Sequence, residues 1–142
     1  MTIKIKEQIS HRNMSPPEII RLSDKAKQQL MLIRRRTGID RWNVLCRWAF
    51  CLSLSEPSKP QDIDIKLDSN IEIAWRTFTG AGYEKIYYAL LKHRCFQDDL
   101  PIDEETLSKY FRLHLHRGIG YLSAGNKIKK LEDFQKLIET QS

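Results

Sequence analysis

The sequence predicts a small, mainly α-helical domain that opens with an extended segment, a helix, a glycine turn and a second helix, and has room for one short β-hairpin. Three observations predict it. Apolar residues recur at helical spacing in several separate stretches, glycine or proline punctuates each stretch, and 142 residues with 41% hydrophobic content suffice for one core.

The first seventeen residues are polar and end in Met14-Ser15-Pro16-Pro17. The two prolines remove backbone donors and disfavour a helix before them, so residues 1–17 are expected to form an arm and residues 18–142 the single helical domain. Glu18-Ile19-Ile20-Arg21-Leu22 suits a short extended segment. Ser23 then offers a helix N-cap with Asp24 in the first turn, and Ala26, Leu30, Ile33 and Thr37 carry helical spacing over 23–37, with Gly38 as the C-terminal cap. A second helix is expected over 40–54, with Leu45, Trp48, Ala49 and Leu52 on one face and Val44 and Cys51 widening the stripe. Trp48 is assigned to the core; Trp42 is left unassigned.

Residues 55–60, with Pro57 and Pro60, read as a loop. Ile63, Ile65 and Leu67 then alternate with Asp62, Asp64, Lys66 and Asp68 as in a half-exposed strand. A second extended candidate over 71–78 would complete a hairpin; a helix over 71–78 is the alternative. Gly80-Ala81-Gly82 ends that element. A helix over 83–96 is expected to turn Ile86, Leu90 and then Arg94 or Cys95 inward. Leu100-Pro101 breaks the chain, and Asp103-Glu104-Glu105 starts a helix over 103–117 with Leu107, Tyr110, Phe111 and Leu115 as core positions and Gly118 as its stop. Residues 119–126 read as a turn-rich loop, and 127–139 as a terminal helix around Ile128, Leu131, Phe134, Leu137 and Ile138.

No run approaches the roughly 18 apolar residues of a membrane helix, and Met1-Thr2-Ile3-Lys4-Ile5-Lys6 lacks a secretion signal, so a cytoplasmic protein is expected. Cys46, Cys51 and Cys95 form no C-x-x-C pair, which fits reduced, buried thiols.

The candidate metal ligands are unconvincing. His114 and His116 would converge on a strand, but on a helix their imidazoles diverge by about 200°, which leaves two surface or half-buried histidines. The acids Asp98, Asp99, Asp103, Glu104 and Glu105 are explained by a helix N-terminus. No G-x-S-x-G or G-K-[ST] is present, and Gly80-Ala81-Gly82 and Gly118-Ile119-Gly120 lack the third glycine of a phosphate-cradling loop. The expectation is a protein with no catalytic residues, metal or cofactor.

Charge is the informative property. Between Arg21 and Arg47 stand eight cations and two acids, an excess equal to the net +6 of the whole chain. Such localisation is the footprint of a phosphate-binding face. Lys25, Lys27, Arg34, Arg35, Arg36 and Arg41 are the candidate DNA contacts. Lys27 and Arg34, seven apart, project from nearly the same side of a helix. For the Arg34-Arg35-Arg36 triplet, simple complementation of the helix dipole competes with DNA binding.

The residues also carry a family likeness. Ile20-Arg21-Leu22-Ser23, the run Leu32-Ile33-Arg34-Arg35-Arg36-Thr37-Gly38-Ile39 and the run from Trp42 through Arg47-Trp48-Ala49-Phe50-Cys51 to Leu54 closely resemble the DndE family of DNA sulfur-modification proteins. Phe78-Thr79-Gly80 and His114-Leu115-His116-Arg117-Gly118-Ile119-Gly120-Tyr121-Leu122 look like the same family. The resemblance implies a non-enzymatic, mainly helical homotetramer that binds duplex DNA with preference for nicked DNA. It also implies partner subunits that exchange a non-bridging phosphate oxygen for sulfur. The order from Glu18 to Leu54 is similar, more weakly, to ribbon-helix-helix repressors. Two readings compete: an adaptor whose basic surface docks a partner of the modification complex, and a free-standing repressor.

Overall fold

The computed structural model describes residue 16 and residues 18–124. The expected arm, apart from Pro16, and the expected helix over 127–139 lie outside the described residues. Within them the order is β1 (Ile19–Arg21), α1 (Asp24–Thr37), α2 (Trp42–Ser55), β2 (Glu72–Ala74), α3 (Trp75–Thr79), α4 (Glu84–Gln97) and α5 (Glu104–Ser123), a mainly helical fold with one two-stranded sheet.

The first half follows the residue pattern. The Ser23 side chain caps α1 by accepting the Ala26 N–H, and Gly38 closes it in the left-handed conformation at φ 75°, with its N–H donated to the Arg34 carbonyl. Ala26, Leu30 and Ile33 are its buried residues. α2 is apolar nearly all round and buries Leu45, Cys46, Ala49, Phe50, Leu52 and Ser53, while Trp42 and Trp48 pack half-buried against the core.

The sheet differs from the expected hairpin. β1 pairs antiparallel with β2, Ile20 facing Ile73, and both isoleucines are buried between exposed neighbours. Residues 63–67 form no strand, and residues 71–78 divide into β2 and α3. The reason lies at the intended turn. Ser69 donates both its N–H and its hydroxyl to the Leu22 carbonyl, at 3.2 and 2.7 Å, and Leu22 N–H reaches the Ile71 carbonyl. Ser69 thus extends the β1–β2 ladder, and the chain before it has no strand to pair with.

The core centres on Phe111, whose ring meets Phe50 at 5.0 Å, Phe78 at 5.1 Å and Trp75 at 5.2 Å, all edge to face. α5 outruns its expected stop. Gly118 lies inside it, where a Cβ would stand 1.7 Å from the Ala49 carbonyl oxygen, so the glycine serves the close approach of α2 and α5. α4 is also rotated from expectation. It buries Tyr88, Leu91, Arg94 and Cys95, and leaves Ile86 53% and Leu90 41% exposed. Apolar residues on both faces of that helix left its phase undetermined by periodicity. Two smaller expectations fall with these: Cys51 is exposed, and His114 is wholly buried because α5 carries it into the core beside Phe50 and Tyr110.

Candidate nucleic-acid interface

α1 sits on the core through Ala26, Leu30 and Ile33, so its remaining circumference faces outward. At about 100° per residue, Lys27 and Arg34 flank one side of that buried stripe, Lys25 and Arg36 flank the other, and Arg35 points away from the core. The six candidate cations are therefore not gathered on one flat face. They wrap the solvent half of the helix, with Arg41 beyond its end.

Their partners differ. Lys27 donates to Asn70 Oδ1 at 2.8 Å. Arg34 lies 3.8 Å from the Asp40 carboxylate and 5.2 Å above the Trp42 ring, which gives the unassigned tryptophan a role under a guanidinium. Arg36 donates to the Ser123 carbonyl at the end of α5, at 2.9 Å. The side chains of Lys25, Arg35 and Arg41 are exposed and have no hydrogen bond or ion pair among the described residues. Three cations are thus ready for a phosphate without breaking an internal bond, and three more stand beside them.

Several cations elsewhere are occupied. Arg21 pairs with Glu72 across the sheet, Arg76 with Glu84, and Lys109 with Asp62. Arg47 donates to the Thr79 carbonyl. The buried Arg94 donates to Asp98 at 2.9 Å and to the carbonyls of Leu54, Glu56, Pro57 and Ser58. Burial would raise the Asp98 carboxyl, but the Tyr110 hydroxyl and the Arg94 guanidinium bonded to it hold it below the usual carboxylate range.

The polar core residues are badly placed for chemistry. Ser53 Oγ and His114 Nδ1 lie 2.8 Å apart with no exposed surface on either residue, and burial, with Arg94 and Arg117 near, pushes His114 down to about 3. Burial also drives Cys46 up to about 12, and burial with nearby Asp98 and Asp103 drives Cys95 up to about 11, well away from thiolates at neutral pH. Among the described residues no group of three or more His, Cys, Asp or Glu is placed to hold a metal ion.

Residues 19–130 match the family model of the DNA sulphur modification protein DndE. The chain belongs to the DndE family. Two solved structures share the DndE fold with it. The crystal structure of DndE from Escherichia coli B7A, involved in DNA phosphorothioation modification, is similar at TM-score 0.63 and 24% identity over 77% of this chain and 99% of that one. A DndE G21/24K mutant involved in DNA phosphorothioation is similar at TM-score 0.57 and 21% identity, over 75% of this chain and 99% of that one. No curated protein matches the chain. Among the described residues no helix is long and apolar enough to cross a membrane.

One feature of this DndE chain was invisible in its sequence. A cavity of about 610 Å³ opens beside Lys25, where Lys66 and Arg117 join it from distant segments. Neither carries a local motif, so nothing short of the fold brings them together.

Proposed function

We propose that this DndE-family chain is a non-enzymatic, cytoplasmic DNA-binding subunit of a DNA phosphorothioation system. In this reading it binds duplex DNA through phosphate contacts of Lys25, Lys27, Arg34, Arg35, Arg36 and Arg41 and works beside the subunits that carry the sulfur chemistry. The observation that carries it is the solvent half of α1 and the turn after it, where Lys25, Arg35 and Arg41 stand exposed with no acid paired to them among the described residues. A straight duplex touches Arg35 and one flank of the helix, so the Lys25–Arg36 and Lys27–Arg34 flanks are alternative tracks. A non-enzymatic role is supported by the burial of the Ser53–His114 pair and the raised thiols of Cys46 and Cys95.

The preference for nicked DNA and the homotetramer rest on the family resemblance. Self-association is further supported by α4, which leaves Tyr83 at its N-cap, Ile86, Leu90 and Phe96 exposed to solvent. Four copies would multiply a modest patch.

A salt titration of duplex binding tests the proposal. The logarithm of affinity should fall linearly with the logarithm of salt, by about 0.9 per phosphate contact. The triple variant Lys25→Ala, Arg35→Ala, Arg41→Ala should flatten that slope by the contacts it removes. An unchanged slope rejects this face, and a monomer by light scattering at the same concentrations rejects the tetramer.

A further inference from the structure

The cavity beside Lys25 is bounded by the start of α1, the extended chain around residues 60–68 and the second half of α5. Its 610 Å³ lies within the range of about 300–1,000 Å³ typical of small-molecule sites. One side is apolar, with Ile63, Ile65 and Leu113. At the solvent edge stand Lys25 and Lys66, both exposed and both without a bond or ion pair among the described residues.

The other charged groups lining it are already engaged. Asp68 accepts the Asp24 N–H at 2.8 Å, and Arg117 donates to Ser53 and Ser58. The α1 N-terminus offers no open amide pair either, since Ser23 N–H donates to His116 Nε2 and Ala26 N–H to Ser23 Oγ. The attraction for an anion therefore comes from two ammonium groups. Beside them, residues 61–68 make no backbone-to-backbone hydrogen bond among the described residues, so their amides and carbonyls remain available to polar edges.

Apolar walls, unpaired backbone groups and two cations at the mouth match a flat heterocycle joined to a phosphate. Lys25 belongs both to this mouth and to the cationic half of α1, so a strand whose phosphates follow the helix passes the opening. We propose that the cavity receives one unpaired nucleotide of a DNA strand lying along α1, its base against Ile63, Ile65 and Leu113 and its phosphate at Lys25 and Lys66. The proposal rests on the duplex-binding reading of α1 and adds a site to it.

Gly120 gives a clean handle. It lines the cavity, and an added Cβ meets nothing nearer than Gln29 Nε2 at 4.0 Å, so Gly120→Phe fills the space and Gly120→Ala leaves it open. The test compares a nicked duplex with the same nicked duplex carrying a single-nucleotide 2-aminopurine flap at the nick, so that any preference for the nick itself is common to both. The full chain should bind the flapped duplex about tenfold tighter, within what one captured base contributes, and the 2-aminopurine emission should change on binding. Gly120→Phe should erase both effects with affinity for the unflapped nicked duplex unchanged, and Gly120→Ala should keep both. Equal binding of the flapped and unflapped nicked duplexes, or a flap preference that survives Gly120→Phe, overturns the cavity proposal and leaves the α1 reading standing. Binding of neither DNA removes both, and displacement of the flap effect only by an acidic peptide would reassign the cavity to protein.

Discussion

The C-terminal ends of α1 and α2 meet the same physical demand in opposite ways. Each helix leaves carbonyls without intrahelical partners and a partial negative charge at its end. α1 carries Arg34, Arg35 and Arg36 in its own last turn, yet Gly38 closes the helix and its arginines project outward. α2 has no basic residue in its last turn and borrows two. Arg94 from α4 reaches the carbonyls of Leu54, Glu56, Pro57 and Ser58, and Arg117 from α5 reaches the Ser53 and Ser58 carbonyls. Counting charge along the chain treats these arginines alike. Their bonds separate them: Arg94 and Arg117 hold the fold, Arg36 is tied to the end of α5 and Arg34 lies beside Asp40, while Arg35 remains available to a ligand.

The largest expected effect lies on the borrowed side. Arg94→Met would strand Asp98 and several loop carbonyls in the interior, and removing one partner of a buried ion pair costs roughly 3–5 kcal/mol. Urea denaturation measures it. A loss below about 1 kcal/mol would mean that the loop rearranges to water and that Arg94 is no more structural than a surface cation.

Next in size is an acid sensitivity centred on the same end of α2. His114 is held neutral in the fold down to about 3, against 6.5 for a free imidazole. Between those values the unfolded chain binds a proton that the folded chain does not, so stability should fall as pH drops through that window, by up to about 1.4 kcal/mol per unit. Asp98 acts in the same direction lower down: its carboxyl is depressed, so its contribution is present above the ordinary carboxylate range and fades as pH falls through the folded value. Thermal unfolding from pH 7 to pH 4 should show the slope, and His114→Gln should flatten it. An unchanged slope in that variant would place the acid sensitivity elsewhere.

The same contrast shows what could be read before the fold was known. Ser23, Gly38 and the spacing of Ala26, Leu30 and Ile33 marked α1 because caps and period are local. The surplus of cations was legible for the same reason. The phase of α4 was not, since Ile86 and Leu90 have the same period as Tyr88, Leu91 and Cys95 and only the packing against α5 chooses between them. Gly118 read as a stop because its real partner, the Ala49 carbonyl, lies on another helix. Spacing offered Arg94 or Cys95 as inward positions, and both are buried, but the loop that Arg94 and Arg117 hold could be seen only in the fold. The cavity has no local signature at all, being assembled from three distant stretches.

The smallest stability effect decides the most about function. If the α1 arginines serve the helix dipole, Arg35→Ala should cost up to about 1 kcal/mol, the upper value for a cation at an exposed helix end. If Arg35 instead waits for phosphate, two facts predict almost no change: Gly38 N–H already satisfies the Arg34 carbonyl, and alanine suits a helix at least as well as arginine. The shift should then stay within about 0.5 kcal/mol, while duplex affinity falls and its salt slope flattens. Arg36→Ala provides the internal control, because that side chain donates to the Ser123 carbonyl and joins α1 to α5. It should lose more stability than Arg35→Ala and less DNA affinity. The reverse order would move the DNA-facing side of α1 from Arg35 toward the α5 flank.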